Sequence, residues 1–404
     1  MVALEAVVSG TAYVILALFV GALAARSFVL PAGDDPLRRT LLTVAVFLLS
    51  AFLLLAVLSL AVQGAKLGGG NPPTLDILAR YLFRTQSGKI WLLREIYGVF
   101  LMFLLFWLHK TSTQRAALWT FFISLPLVAS RSLMSHAAAV KEDTLLAVSA
   151  DAAHLIVTAL WAGGLPVLLW ALWRGTKQFH LPLSWAAQAV SRFSRLALIS
   201  VAILVLTGAY QSWIHVQSWN ALFGSPYGKV LLLKLSLFVL MAGLGAVNFF
   251  LTRPALANAA KEDPLLRRKA LRRIGSESAL GFFILSLTGL LTVLPPGAHS
   301  RHQASASAAK NVEPADGAEV KILSPKEGET FAGDQVPISF KLVRGKHGHH
   351  VHAYVDGELV GMFESQRGTL TGIPPGRHTL EVRVVADDHQ TELNARDQVQ
   401  FVVK

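Results

Sequence analysis

Cysteine is absent from all 404 residues. That excludes disulfides, thiolate nucleophiles and cysteine-ligated metal centres, and leaves this residue silent about redox compartment. Charge is scarce too: Asp, Glu, Lys and Arg make up 15% of the chain, against roughly 25% in an ordinary soluble domain. No Gly-x-x-x-x-Gly-Lys-Ser/Thr phosphate loop occurs, so there is no ATP motor of that type. Gly-x-Ser-x-Gly and His-Glu-x-x-His are missing as well, so hydrolase chemistry has no support and no enzyme is expected.

Apolar residues are abundant instead, at 53%, with a mean hydropathy of +0.49. Runs long enough to cross a bilayer, about 20 residues each, recur over the first three quarters. They predict eight spans, at about 5–30, 40–63, 90–109, 116–135, 145–172, 192–216, 229–252 and 274–294. The expected fold is an all-α polytopic membrane bundle over 1–296, embedded in lipid.

Residues 1–312 carry 27 Lys and Arg against 11 Asp and Glu, a net of +16; residues 313–404 carry 10 against 14, a net of −4. The positive charge sits in short connections, where it sets topology rather than binding nucleic acid. Arg38, Arg39, Lys110, Arg115, Arg174, Lys177, Arg192, Arg195 and the run Arg267–Arg273 all fall on odd-to-even connections. The positive-inside rule places these in the cytoplasm and both termini outside an inner membrane. Only the loop at 64–89, with Lys66, Arg80, Arg84 and Lys89, runs against that pattern. Ala22-Leu-Ala24 resembles a signal cleavage site, but the first arginine follows the apolar run, so an uncleaved first helix is expected.

After Pro295-Pro296 the composition changes. Residues 297–317 read as a linker. From 318 to 404 the pattern is of short alternating runs: 320–323, 336–343, 350–355, 358–363, 379–385 and 399–403. Asp356-Gly357 marks a hairpin. A small all-β immunoglobulin-like sandwich is expected, placed outside by the topology.

Histidine is the informative residue. Of 13, only His109 and His180 fall on the expected cytoplasmic side. His136 closes the fourth span and His154 lies near the start of the fifth, so a short hairpin brings both toward the outer leaflet. Asp151 is three residues before His154 and shares its helix face. It is expected to accept a proton from that ring and aim the other nitrogen at a metal. Polar side chains at such a depth are costly, which marks them as a functional site; the alternative is a polar cluster that pins helix packing. Met134 and His215 are further candidate ligands. In the outer domain, His347, His349, His350 and His352 form a metal-binding tract, with His350 and His352 on one strand face. His299 and His302 lie between the two parts. Arg94, Glu95, Lys234, Asn248 and Glu277 are also intramembrane; Glu277 is expected to pair with Arg272 or Arg273 and Lys234 to snorkel outward.

Several runs carry a resemblance. Ser135-His136-Ala137, Ala150-Asp-x-x-His154, Leu160-Trp-Ala-Gly-Gly164, Arg192-Phe-Ser-Arg195, Thr207-Gly208, Tyr227-Gly-Lys229 and Glu277 resemble the copper resistance D (CopD) family of bacterial inner-membrane proteins. The resemblance covers roughly 1–296. It implies an eight-helix protein that moves copper ions across, or delivers them to, the inner membrane, for resistance or homeostasis. It also implies that the family's histidines map to His136 and His154, and that a periplasmic chaperone of CopC type is a possible partner. Here the β-domain follows the membrane part instead of preceding it. Two other readings stay open: a b-type haem electron-transfer protein, and a non-transporting copper sensor or scaffold.

Overall fold

The computed structural model describes residues 2–31, 35–67, 72–111, 113–135, 143–216, 219–259, 261–294, 312–331, 335–371, 373, 376–386 and 391–403. His136, His299, His302 and His389 lie outside them, as does the side chain of His215. The chain divides into two compact units, Met1–Gly297 and Ala298–Lys404.

Among the described residues of the first unit, eight helices are long and apolar enough to span a membrane. They are α1 (Ala3–Val29), α2 (Pro36–Leu67), α3 (Gln86–Lys110), α4 (Gln114–Met134), α5 (Thr144–Lys177), α6 (Leu183–Ile214), α7 (Pro226–Ala257) and α8 (Pro264–Leu291). All eight expected spans are present. Most run longer than the apolar stretches alone, because capped polar turns extend them: Thr113, Ser225 and Asp263 each accept a backbone N–H at a helix start. The loop at 64–89 holds a further short helix, Leu75–Arg84, capped by Thr74.

α1 is the organising element. It packs against α2, α8 and the middle of α5, and Leu16, Phe19, Val20 and Leu23 are fully buried. The contact with α5 depends on missing side chains. A Cβ on Gly163 would lie 2.1 Å from the Ala17 carbonyl oxygen, and one on Gly21 would lie 2.5 Å from that of Gly163. Such close backbone approach is how membrane helices pack without a hydrophobic driving force. Apolar side chains such as Phe47, Leu54, Phe103, Val239 and Phe250 are exposed, as a lipid-facing belt requires. Exposed Trp107, Trp119 and Trp173 mark one rim, and Trp213 and Trp219 the other.

The second unit is a two-sheet sandwich. Strands β2 (Ala318–Ser324), β4 (Gln335–Arg344) and β7 (Arg367–Thr371) form one sheet in that order. The other runs β1 (Val312–Glu313), β9 (Glu392–Val403), β8 (Gly376–Ala386), β5 (Gly348–Val355), β6 (Glu358–Phe363), with β3 (Glu329–Phe331) pairing β9. Val336, Phe340, Val351, Val382 and Phe401 fill the space between. Asp356 and Gly357 both have positive φ, 52° and 85°, as the expected two-residue hairpin turn requires. β1 begins inside the stretch read as linker. β7 was not visible as a strand because Leu370 is its only large apolar residue.

Candidate functional site

α5 is not a continuous α-helix. Residues Ala159–Gly163 form a π turn, one turn beyond His154. Such bulges re-aim side chains and concentrate at functional positions. The half-buried His154 ring reaches across to α6, where Nδ1 lies 3.0 Å from Thr207 Oγ1. Thr207 has one hydroxyl hydrogen and directs it to the Ile203 carbonyl at 2.7 Å. With its hydrogen so directed, Thr207 accepts from Nδ1–H, the tautomer in which Nε2 carries the lone pair. Gly208 lies beside the ring; a Cβ there would make ordinary contact with His154 Cε1 at 3.5 Å.

Asp151 does not take the expected part. Its carboxylate accepts from Ser135 Oγ at 2.9 Å, tying the residue before His136 to α5, and it is Thr207 that orients His154. Ser135 precedes the undescribed stretch, so Asp151 fixes the base of that hairpin. Met134 is engaged elsewhere, its sulfur 4.0 Å from Arg94 Nη1, and Arg94 in turn pairs with Glu95 at 3.2 Å. A guanidinium beside the sulfur opposes a cation there. The backbone of His215 lies in the last turn of the helix that continues α6, which runs to Val216.

Two cavities meet at this level. A small one, about 20 Å³, is lined by His154, Thr158, Lys234, Tyr13 and Arg131. A polar one of about 150 Å³ is lined by Glu5, Gln63, Arg94, Arg131, Met134 and Ser135, and Tyr13 lines it too. Tyr13 and Arg131 line both, with the guanidinium 4.7 Å over the ring. Lys234 faces the His154 cavity rather than turning out to the rim.

Glu277 also departs from expectation. It is 3% exposed and meets neither Arg272 nor Arg273; it accepts from Trp161 Nε1 at 3.0 Å and from Asn248 Nδ2 at 2.7 Å. Asn248 opens another π turn, Asn248–Thr252, the third among the described residues after Ala25–Val29 and Ala159–Gly163.

In the sandwich, Val351 and Ala353 face the core, so His350, His352 and Tyr354 share the other face of β5. His350 Nε2 and His352 Nε2 are 3.1 Å apart, and His349 Nδ1 is 3.4 Å from His350 Nδ1. At metal–nitrogen distances of about 2.0–2.1 Å, the 3.1 Å pair subtends about 100° at one ion, an ordinary angle for two imidazole ligands. His349 approaches the opposite nitrogen of His350 and cannot join the same ion through that contact. His347 is 3.9 Å from Asp316. Among the described residues, no group of three or more His, Asp or Glu is arranged to hold a metal.

Beside the pair, Tyr354 donates to Glu392 at 2.6 Å, and Arg383 bridges Glu392 and Glu381 at 2.9 Å each. Burial and the Glu392 carboxylate push the Tyr354 hydroxyl well above its ordinary range. The hydrogen bonds from Arg383 hold Glu381 below its own. This network keeps the β5 flank rigid and charged.

Fold and site together define a polytopic membrane protein with a half-buried, oriented imidazole and an appended β-sandwich. The first described part matches the model of the copper resistance protein D-like N-terminal domain over residues 3–145, and that of copper resistance protein D over 187–291. The membrane-spanning part thus carries a copper resistance protein D-like N-terminal domain followed by a copper resistance protein D domain. The copper transport protein CutJ of Bacillus subtilis (strain 168) is 30% identical over 292 residues, covering 70% of this chain and 51% of that protein. Copper resistance protein D of Pseudomonas syringae pv. tomato is 31% identical over 147 residues, covering 36% and 47%. The chain thus spans about half the length of the curated relatives it matches. The solved Clostridium thermocellum CbhA fibronectin(III)-like modules align with 21% of this chain and 94% of their own at 25% identity, with a TM-score of 0.19. The family is named for copper handling, not for a catalysed reaction.

Proposed function

We propose that this chain transfers copper ions across a bacterial inner membrane, with both termini extracytoplasmic, and so contributes to copper supply or resistance. The observation that carries the reading is the 3.0 Å contact of His154 Nδ1 with Thr207 Oγ1, which makes Nε2 the proposed ligand atom within the bundle. Copper is the cargo that the family match supports, and imidazole suits it. His136 and His215, from neighbouring chain segments, are the proposed co-ligands, with Asp151 holding the hairpin. Lys234 and Arg131 line the same cavity, so a cation there is held only weakly, against two basic side chains. The His350–His352 pair is the proposed collecting site of the outer domain, where a CopC-type chaperone is a candidate donor.

A b-type haem is disfavoured because the space beside His154 is about 20 Å³, with no room for a macrocycle. The test is copper accumulation in cells expressing the wild type, His154→Ala or His136→Ala. Loss in both variants is expected; equal accumulation rejects the route through this pair.

A further inference from the structure

The His154 route makes no use of Glu277, although three separate features converge on it. It is buried, and its two oxygens meet the neutral donors Trp161 and Asn248. Both donors sit in π turns, one in α5 and one in α7. It is also the sole ionisable residue described in the lining of a cavity of about 380 Å³ between α5, α6, α7 and α8, whose walls include Leu165, Phe193, Ser194 and Phe249. Gly245 leaves space at the carboxylate, since a Cβ there would stand 3.1 Å from Oε1.

We propose that Glu277 is a proton-exchange site, alternating between carboxylate and carboxylic acid through this cavity. The hydrogen-bond chain behind it supports both states. In the geometry observed, every donor points toward the carboxylate. Arg273 Nη1 donates to Thr252 Oγ1 at 3.1 Å, Thr252 donates to Asn248 Oδ1 at 2.9 Å, and Asn248 Nδ2 donates to Glu277 Oε2. This is the polarity an anion requires, with the guanidinium at its far end. When Glu277 takes up a proton, a flip of the Asn248 amide reverses the chain. The new O–H donates to Oδ1, Nδ2 donates to Thr252 Oγ1, and the Thr252 hydroxyl turns to the carbonyl one turn back. No partner is lost in either state.

Six other charged groups on the surrounding elements are engaged away from it. Arg253 donates to Ser191, Arg174 to Gln178, Arg192 to the Leu30 carbonyl and Arg267 to the Leu181 carbonyl, while Lys234 lines the His154 cavity and Glu5 bonds Gln63 and Lys66. Arg273, through Thr252, is the charge coupled to Glu277.

The link to transport rests on the copper reading. Loss of the proton leaves an anion that favours a cation in this half of the bundle, and return of the proton releases that cation. The one carboxyl exchanges one proton and so balances one unit of positive charge. Proton and cation then occupy the site in alternation, so an imposed pH difference changes the copper flux.

The test is pH-difference infrared spectroscopy of the full chain in membranes, followed in the carboxylic-acid carbonyl region. A titrating band is expected in the wild type and is expected to vanish in Glu277→Gln. Spectra that are the same in both would overturn the proposal. Thr252→Val, which keeps the carboxyl but cuts the link to Arg273, is expected to shift that band's midpoint to higher pH; an unmoved midpoint removes the relay. In proteoliposomes loaded with a copper-sensitive dye, Glu277→Gln is expected to lose the response to an imposed pH gradient. Wild-type vesicles with no copper flux but a titrating Glu277 band would sink the transport reading and leave the proton site standing.

Discussion

Thr207→Val tests the reasoning at the proposed copper site most directly, because it changes nothing that a metal would touch. Valine keeps the shape of threonine and removes the oxygen that accepts His154 Nδ1–H at 3.0 Å. The ring then has two options. It can keep its tautomer with a buried donor unsatisfied, at a cost of about 1–3 kcal/mol. Alternatively it can move the proton to Nε2, which must be removed before that nitrogen binds a metal. Loss of an orienting partner of this kind typically lowers metal affinity by about 10–100-fold. Copper uptake into cells, measured at limiting copper, is therefore expected to fall by a factor in that range. Thr207→Ser, which restores the acceptor, is expected to recover it. Uptake by Thr207→Val equal to wild type at every copper concentration would refute the assignment of Nε2 as the ligand atom.

Gly163→Ala forces a methyl to within 2.1 Å of the Ala17 carbonyl oxygen. Neither backbone can give way cheaply, so thermal unfolding in detergent is expected to show a loss of about 1–3 kcal/mol or more; an unchanged melting temperature would contradict the close packing of α1 on α5. The double variant His350→Ala/His352→Ala is expected to lower the copper bound per full-length chain, measured by metal analysis after equilibration with a copper salt, and unchanged stoichiometry would remove the collecting site. Asp356 is held below the ordinary carboxylate range, first by the His378 ring at 2.7 Å and then by the Thr379 N–H. A depressed folded value means that its stabilisation is present above the ordinary range and fades as pH falls through the folded value. Hydrogen exchange in β8 is thus expected to be faster in Asp356→Asn than in wild type at neutral pH, with the difference closing in acid; a difference that persists unchanged in acid would contradict the linkage.

The eight spans were legible because a bilayer imposes one demand, about 20 apolar residues per crossing, that composition meets locally. The hairpin at Asp356-Gly357 was legible for a similar reason, since two successive positive φ angles select few residue types. The site was only half legible. His154 announced itself as a polar residue in an apolar run, and Trp161, Asn248 and Glu277 were each visible singly. Their connections were not. Thr207 lies 53 residues from His154 and Trp161 lies 116 from Glu277. Threonine and tryptophan are ordinary residues within membrane helices. Asp151 was matched to His154 by helical spacing, yet it turned to Ser135, because a hydroxyl across the hairpin came closer than the ring on its own face.

The amino-acid sequence by itself settled the membrane class, the number of crossings, the change to a β-domain and the resemblance to copper resistance protein D. Each follows from local composition or from runs of adjacent residues. Only the tertiary structure decided which hydroxyl fixes the His154 tautomer, that α5 and α7 break into π turns facing one carboxyl, and that glycines let α1 touch α5. Those depend on helix rotation and axial shift, which in lipid are set by close packing and a few hydrogen bonds rather than by the apolar pattern.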